Sequence, residues 1–198
     1  MAENENNVSR QTLYISIAVA LLVGFLSGVI YSDRSPSTSG VQVAQQPNLP
    51  QQQDQINQAI DSLQLAVQQN PNNAEAWTQL GHAYFDSNQP PKAIEAYNKA
   101  LAIIPGNPSV LTDLGVMYRR NGEPDKAIES FDKALQVTPG FEQALFNKGV
   151  VLYNDLGKLE SALQAWRELL IVNPGAMGPN GVPVEKMVDD LSRQVQNK

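Results

Sequence analysis

The sequence contains no cysteine and only one histidine, His82, among its 198 residues. Without cysteine, disulfides, thiolate zinc sites, iron–sulfur clusters and cysteine nucleophiles are excluded. A lone histidine excludes the usual multi-histidine metal sites and leaves little for acid–base catalysis. Lys and Arg number 14 against 20 Asp and Glu, and the resulting net charge of −6 is not typical of a nucleic-acid-binding surface. The composition therefore predicts a protein that is not an enzyme and that has no metal and no cofactor.

An uncharged apolar run near the N-terminus predicts a single transmembrane helix. Residues 13–31 contain neither a charged residue nor proline, and as a helix they would span about 28 Å, close to the hydrocarbon thickness of a bilayer. A cleaved signal peptide is the alternative, but such peptides begin with a basic segment, whereas residues 1–12 carry Glu3 and Glu5 against Arg10. We therefore predict an N-terminal tail at 1–12 and an uncleaved anchor at 13–31.

Small residues recur every four positions within this anchor. They are Ser16, Ala20, Gly24 and Gly28. This spacing places them on one helix face, and Gly24-x-x-x-Gly28 is a pattern that lets two membrane helices approach closely. The alternative is that small residues are simply common in spanning helices. The sequence thus leaves open a homodimer formed through this face.

Residues 32–53 are rich in Gln, Ser and Pro and contain only two charged residues, Asp33 and Arg34. Such a segment buries too little apolar surface to offset the entropy of ordering, so it is predicted to be a disordered linker. No Lys or Arg follows Arg34 until Lys92. By the positive-inside rule, this gap favours export of the C-terminal part.

The rest of the chain repeats with a period of 34 residues. Gly81 and Tyr97 recur at that step as Gly115 and Phe131, and a third unit, with its second half displaced by one residue, carries Gly149 and Trp166. The full set of recurring positions is Trp77, Leu80, Gly81, Tyr84, Ala93, Tyr97, Ala100, Pro105, Leu111, Leu114, Gly115, Tyr118, Ala127, Phe131, Ala134, Pro139, Gly149, Ala162, Trp166 and Pro174. Recurrence over this many positions predicts a repeat architecture.

These residues resemble the tetratricopeptide repeat (TPR), a helix–turn–helix unit. The resemblance implies an all-α fold, a right-handed solenoid of helical hairpins preceded by the transmembrane helix. Within a TPR domain at 54–198, the units are a half repeat at 54–73 and repeats at 74–107, 108–141 and 142–176. A capping helix at 183–197 follows, because a solenoid needs a polar-backed helix to cover its last apolar surface. The total is eight helices.

Residue types at special positions agree with this architecture. The repeat glycines allow the paired helix to pack closely, since they have no side chain. Gly122 and Gly157 suit the turns between paired helices, where the backbone adopts positive φ. Pro108 and Pro124 suit the first turn of a helix.

In the TPR family the first helices of the repeats line a concave groove that holds a partner peptide or helix. Carried over by position, the groove residues are Glu75, Thr78, His82, Phe85, Thr112, Val116, Arg119, Arg120, Gln143, Phe146, Asn147, Val150 and Tyr153. Their mixture of apolar and basic side chains suits a peptide with apolar anchors and an acidic group near Arg119. The two-carboxylate clamp of chaperone-binding members is not expected, because its positions hold Thr78, His82 and Asp113.

His82 and Asp86 are four residues apart and could pair on one helix. The alternatives for this pair are a catalytic dyad, a pH switch or a histidine that merely contacts a partner or solvent; the last is the interpretation adopted here, since no nucleophile accompanies it. The glycine-rich loop Gly175–Gly181 lacks a lysine and follows no predicted strand, so it is interpreted as a connector.

The plan resembles bacterial inner-membrane proteins with one span and a TPR domain in the periplasm. Some of these present apocytochrome tails for haem attachment, and others serve cell-envelope assembly. The leading hypothesis is therefore a membrane-anchored adaptor that binds a protein or peptide partner, and not nucleic acid. The alternative is a structural scaffold that self-assembles through TPR surfaces or through Gly24 and Gly28.

Overall fold

The computed structural model describes residues 49–196, with side-chain placement from residue 53 onward except at residue 180. This part of the chain forms eight α-helices and no β-strand, so the predicted all-α solenoid of helical hairpins is confirmed for it. The helices are α1 (Leu49–Gln69), α2 (Ala74–Asp86), α3 (Pro90–Ile103), α4 (Pro108–Arg120), α5 (Pro124–Val137), α6 (Glu142–Asn154), α7 (Leu159–Val172) and α8 (Val184–Gln196). A short 3₁₀ turn, Pro179–Gly181, precedes α8.

Several expectations concern residues that the structure does not describe. The N-terminal tail, the anchor at 13–31 with Ser16, Ala20, Gly24 and Gly28, and the linker up to residue 48 lie outside the described residues. Within 49–196, no helix combines the length and hydropathy needed to cross a bilayer. The first helix begins at Leu49, five residues before the predicted start at Asp54.

Helix boundaries follow from local chemistry. The side chains of Asn73 and Asn107 accept hydrogen bonds from the first-turn amides of α2 and α4, which satisfies donors that a helix start leaves unpaired. The turns within the second and third hairpins place Gly122 at φ 78° and Gly157 at φ 61°. The predicted use of these glycines is thus confirmed, and Asn88 adopts the same left-handed conformation, φ 52°, in the first hairpin.

Within the core of each hairpin, an aromatic side chain packs against a glycine. A Cβ atom added to Gly81 would lie 2.4 Å from the ring of Tyr97, and one added to Gly115 would lie 2.5 Å from the ring of Phe131. In the third hairpin the ring is that of Trp166, 2.2 Å from a Cβ on Gly149. All three rings are buried. The glycines are therefore required by close helix packing and not by backbone conformation.

Most of the recurring positions are buried, but some at the ends of units are not. Trp77 is only partly buried, and its indole Nε1 donates to the carbonyl of Pro71 at 2.9 Å. Tyr118 is also partly buried, and the prolines that end the units, Pro105, Pro139 and Pro174, are exposed. Trp77 opens the first full repeat, where only α1 precedes it, so less surface is available to cover the ring.

The helix α8 covers the end of the array. Its buried residues are Val184, Val188 and Leu191, and they pack in one cluster with Trp166 and Leu169 of α7. The opposite face carries charged side chains, among them Asp190, which pairs with Lys186 and Arg193. This arrangement is that of a capping helix, which covers apolar surface on one side and meets water on the other.

Candidate functional site

The predicted groove residues lie on α2, α4 and α6, the first helices of the three hairpins. We call the face that carries them the A-helix groove. Those that are exposed are Glu75, His82, Arg120, Gln143 and Tyr153. Those that are partly buried are Thr78, Phe85, Val116, Arg119, Phe146, Asn147 and Val150. Thr112 departs from the prediction, because it is buried and its Oγ1 donates to the carbonyl of Pro108 at 2.8 Å, so it faces the interior.

Charged and aromatic side chains meet between α2 and α4. The His82 Nε2 lies 3.2 Å from Oδ2 of Asp113, and the Arg120 guanidinium lies 4.3 Å from the centre of the Phe85 ring. We call this cluster, with Asp86 at the end of α2, the polar junction. The four-residue spacing allows His82 to pair with Asp86, but in the structure the histidine bonds Asp113 on the next repeat. Spacing along one helix gives no signal for this contact, because Asp113 lies 31 residues from His82.

Tyr97 of α3 lies beneath the polar junction. Its ring meets the His82 ring edge-on, with the ring centres 5.7 Å apart. Burial raises the pKa of the Tyr97 hydroxyl well above its ordinary value; the carboxylates of Asp113 and Asp86 raise it further, while Arg120 opposes them. The hydroxyl therefore stays protonated, and these three charged groups are the ones that act on it.

The His82 imidazole is held close to a carboxylate. Its hydrogen bond to Asp113 raises the pKa of His82, with desolvation opposing this and with Asp113, Asp86 and Glu75 adding through charge. A raised pKa means that the fold favours the protonated ring. With a neutral His82 the junction holds two carboxylates, Asp86 and Asp113, against one cation, Arg120, and the protonated ring balances these charges.

Arg119 is already paired within the protein. Its Nε donates to Oδ2 of Asp155 at 2.5 Å, which links α4 to the turn after α6. An acidic group of a partner peptide, which is predicted to bind near Arg119, would have to compete with the Asp155 carboxylate. Asp155 follows the end of α6 and has no counterpart in the recurring pattern, so sequence spacing gave no signal for it.

An apolar cleft opens at the other end of the groove. Phe146, Val150 and Tyr153 of α6 face Met187 and Leu191 of α8 across a cavity of about 400 Å³. Trp166 of α7 forms its floor, and Asn154, Asp190 and Gln194 lie at its rim. We call this space the apolar cleft. The sequence indicated α8 only as a cap, whereas the structure makes it one wall of a binding-sized pocket.

The floor of the cleft is held rigidly. Trp166 Nε1 donates to the carbonyl of Phe146 at 3.2 Å, and the Tyr153 ring packs against the indole with 5.9 Å between centres. The loop before α8 also contacts this region, since a Cβ on Gly178 would lie 3.0 Å from the Met187 sulfur and 3.5 Å from the Phe146 ring. The loop interpreted as a connector thus supports a wall of the cleft.

A second cavity, of about 480 Å³, lies on the other side of Phe146. Gln143, Phe141, Asn173 and Met177 are among its lining residues. Across residues 49–196, no group of three or more His, Asp or Glu side chains is arranged to hold a metal ion. What the groove offers chemically is non-covalent binding, with an ionic part at one end and an apolar part at the other.

Comparisons with known proteins agree with this architecture. A family model described as the cytochrome c-type biogenesis protein H TPR domain matches residues 36–175. No curated protein matches the sequence. Among solved structures, the MamA protein is 21% identical with a TM-score of 0.61, over 73% of this chain and 81% of that one. At these identities, likeness to solved structures supports the fold alone.

Two further solved structures are TPR domains. The first TPR of Spaghetti (RPAP3), bound to the HSP90 peptide SRMEEVD, is 22% identical with a TM-score of 0.55, over 62% of this chain and 93% of that one. The Sgt2 TPR domain from Aspergillus fumigatus is 23% identical with a TM-score of 0.53, over 62% and 79% of the two chains. The first of these shows a TPR domain of this size holding a peptide.

Proposed function

The chain belongs to the family of cytochrome c-type biogenesis protein H TPR domains, and from that membership we propose that it is a protein-binding adaptor in cytochrome c maturation. Its partner is a segment of a c-type cytochrome precursor, held in the A-helix groove. The observation that carries the proposal is the apolar cleft of about 400 Å³, in which side chains of α6, α7 and α8 converge. An apolar pocket with a few polar groups at its rim is the form that recognition sites usually take.

The apolar cleft fits an apolar anchor of an extended or helical peptide. Phe146 and Tyr153 supply aromatic surface, and Met187 supplies a flexible side chain that adapts to different shapes. Charges at the rim are already neutralised within α8, since Asp190 pairs with Lys186 and Arg193. The cleft therefore selects by shape and apolar area, and we expect few side chains to dominate the binding energy.

Peptide titration of the full-length protein in detergent tests the proposal. Overlapping fluorescent peptides from a c-type cytochrome precursor would be titrated against wild type, Phe146→Ala and Ile171→Ala, and anisotropy recorded. Phe146→Ala should weaken binding about tenfold or more, as removal of a central aromatic anchor does. Ile171→Ala is the matched control, because Ile171 is 82% exposed at the end of α7 and does not line the cleft. Absence of binding by any precursor peptide would contradict the function, and equal loss in both variants would contradict the site.

We also propose that residues 13–31 anchor the protein in the inner membrane with the TPR domain in the periplasm. The support is the uncharged apolar run and the lack of Lys and Arg between Arg34 and Lys92. Because the chain contains no cysteine, single cysteines at Asn4 and Ser39 can report topology. A membrane-impermeant maleimide should label Ser39→Cys and spare Asn4→Cys in spheroplasts, and the reverse pattern would overturn the orientation.

A self-assembling scaffold is the second candidate, favoured by a row of exposed apolar side chains. Ile103, Val137 and Val172 are the last residues of α3, α5 and α7, the second helices of successive hairpins, and their exposed fractions are 37%, 47% and 49%. A repeated exposed apolar row is a surface on which copies can associate. Mass measured by light scattering over a concentration series should rise for wild type and stay monomeric for Val137→Ser if this surface mediates assembly. Loss of assembly on Gly24→Leu would instead implicate the membrane helix.

A further inference from the structure

The Tyr97 hydroxyl is the one buried side-chain polar atom without a hydrogen-bond partner in the part of the chain from residue 49 to residue 196. The Tyr97 side chain is fully buried, with an exposed fraction of 0%. Burial of an unpaired hydroxyl destabilises a fold, and native structures usually avoid it. The presence of a buried, unpaired hydroxyl therefore calls for an explanation. One explanation is a ligand that completes the hydrogen bonding of the hydroxyl.

The other two hairpins show that packing does not require this hydroxyl. Phe131 packs on Gly115 just as Tyr97 packs on Gly81, and it has no polar atom. Trp166 does have one, but its Nε1 donates to the carbonyl of Phe146. A phenylalanine at position 97 would therefore fill the core as well as tyrosine does. The packing role of the ring does not explain the hydroxyl.

The groups above Tyr97 occur at one junction of the groove. At the positions of His82 in the next two repeats stand Val116 and Val150, and the position of Asp113 holds Gln79 in the first repeat and Asn147 in the third. The unpaired hydroxyl thus coincides with the only place where a histidine and an aspartate face each other across two first helices within residues 49–196.

The acceptor groups of this cluster favour a cation, because Asp113 already holds the imidazole of His82, whose protonated form the fold favours. The carboxylates of Asp113 and Asp86 raise the pKa of the Tyr97 hydroxyl and Arg120 lowers it. The Arg120 guanidinium is stacked on the Phe85 ring and donates to the Phe85 carbonyl at 3.4 Å. The neighbouring Arg119 is paired with Asp155. Two carboxylates and a hydroxyl oxygen are acceptors, and a lysine ammonium offers three donors and no acceptor.

We propose that the polar junction binds one cationic side chain of the partner segment, with the carboxylates of Asp113 and Asp86 and the Tyr97 hydroxyl oxygen accepting hydrogen bonds from it. This proposal rests on the proposed function, because it names the chemistry that the same groove recognises beside its apolar cleft. The His82 ring lies edge-on against the Tyr97 ring, and the His82 side chain is 50% exposed. The ligand enters by replacing His82 as the partner of Asp113, which leaves the imidazole free to turn toward solvent.

Two probes test the proposal on the full-length protein in detergent. The first is n-butylammonium, which mimics a lysine side chain, with n-butanol and n-butyrate as matched controls at constant ionic strength. Backbone amide NMR signals of Gly81, His82 and Asp113 should shift with butylammonium and not with the controls. Unchanged signals with butylammonium would overturn the proposal.

The second probe is a precursor peptide that binds in the titration described above, with each lysine or arginine replaced in turn by glutamine. One replacement should weaken binding to wild type about tenfold, since a hydrogen-bonded charge is lost. The difference in affinity between the original peptide and this glutamine peptide should shrink to about twofold or less in Tyr97→Phe and in Asp113→Asn. It should persist in the charge-matched control Glu168→Gln on α7. The proposal would be overturned if wild type bound all the peptides with the same affinity. It would also be overturned if the difference between the original and glutamine peptides persisted in Tyr97→Phe and Asp113→Asn.

The two probes also separate this inference from the proposed function. If precursor peptides bind but every basic side chain can be replaced without effect, the adaptor function stands and the cationic subsite falls. If no precursor peptide binds while butylammonium still shifts Gly81, His82 and Asp113, the subsite stands and the partner assignment falls.

Discussion

The polar junction and the apolar cleft lie at opposite ends of one groove and are built on the same packing unit. In each, an aromatic ring from a second helix packs on a glycine of a first helix, Tyr97 on Gly81 and Trp166 on Gly149. At the first end the aromatic polar atom is unpaired and charged groups lie above it. At the other end the indole is satisfied by a backbone carbonyl and apolar side chains surround it. A repeat can thus keep its packing constant while its groove-facing positions change chemistry.

The two ends also differ in how their charges are balanced. Around the cleft, Asp190 is neutralised by Lys186 and Arg193 on its own helix, and this pairing lowers the pKa of Asp190. At the junction, the partner of Asp113 is a histidine from another repeat, whose charge depends on pH. The charge beside the cleft is therefore balanced within one helix, whereas the charge balance of the junction depends on the protonation of His82.

The largest expected effect comes from removal of the shared aromatic. Trp166→Ala and Tyr97→Ala should each lower the free energy of unfolding by about 3–5 kcal/mol, because both rings are buried in the core. Chemical denaturation of the full-length protein followed by circular dichroism measures this. Trp77→Ala is the comparison, since Trp77 is only partly buried and should cost less. A cost at Tyr97 no greater than at Trp77 would contradict the idea of equivalent cores at the two ends.

A smaller effect is expected when the glycines beneath the rings gain a methyl group. Gly81→Ala and Gly149→Ala should each lower the free energy of unfolding by about 1–3 kcal/mol, since the new Cβ would lie 2.4 Å and 2.2 Å from the opposing ring atoms. Gly106→Ala is the control, because no atom lies within 4 Å of its Cβ position. Denaturation midpoints that are equal for all three variants would show that the rings do not pack as described.

Conservative substitution of the two aromatics should have effects of opposite sign. Tyr97→Phe should raise the free energy of unfolding by about 1 kcal/mol, because it removes a buried hydroxyl without a partner. Trp166→Phe should lower it by about 1 kcal/mol or more, because the indole bond to Phe146 is lost. Thermal unfolding of both variants beside wild type provides the measurement. A destabilised Tyr97→Phe would mean that the hydroxyl already has a partner in the free protein.

The smallest effect is the pH dependence of the His82–Asp113 contact. The pKa of His82 is raised in the fold. The His82–Asp113 contact therefore contributes fully to stability at pH values below the ordinary histidine pKa near 6.5, and this contribution is lost as the pH rises through the raised pKa of the folded protein. The side chains are 50% and 34% exposed, so the contribution is at most about 1 kcal/mol. Melting temperatures from pH 5.5 to 8.5 should fall slightly more for wild type than for Asp113→Asn. Parallel curves would contradict the pairing.

Much of the fold was predictable because packing in a repeat protein is local. In each hairpin a glycine packs against one aromatic residue, and the pairs are Gly81 with Tyr97, Gly115 with Phe131 and Gly149 with Trp166. Because these residues recur once per repeat, the period indicates which helices touch. Gly122 and Gly157 could be assigned to turns from residue type alone, since positive φ favours glycine.

The candidate site was predictable in outline and not in detail. The predicted groove residues on α2, α4 and α6 are exposed or partly buried except Thr112, which is buried. Their contact with a partner stays a prediction. The partners of His82 and Arg119 lie 31 and 36 residues away, at Asp113 and Asp155. A helical wheel shows only neighbours three or four residues apart, so it gives no signal for either of these contacts.

The amino-acid sequence alone determined the repeat period and therefore the stack of helical hairpins, because each unit buries its apolar stripe against its immediate neighbour. What only the tertiary structure decided is the chemistry of the groove. Side chains from α2 and α4, or from α6 and α8, meet there across distances that no local pattern encodes. The position of α8 as a wall of the cleft and the edge-on contact of Tyr97 with His82 both depend on how separate helices come together in space.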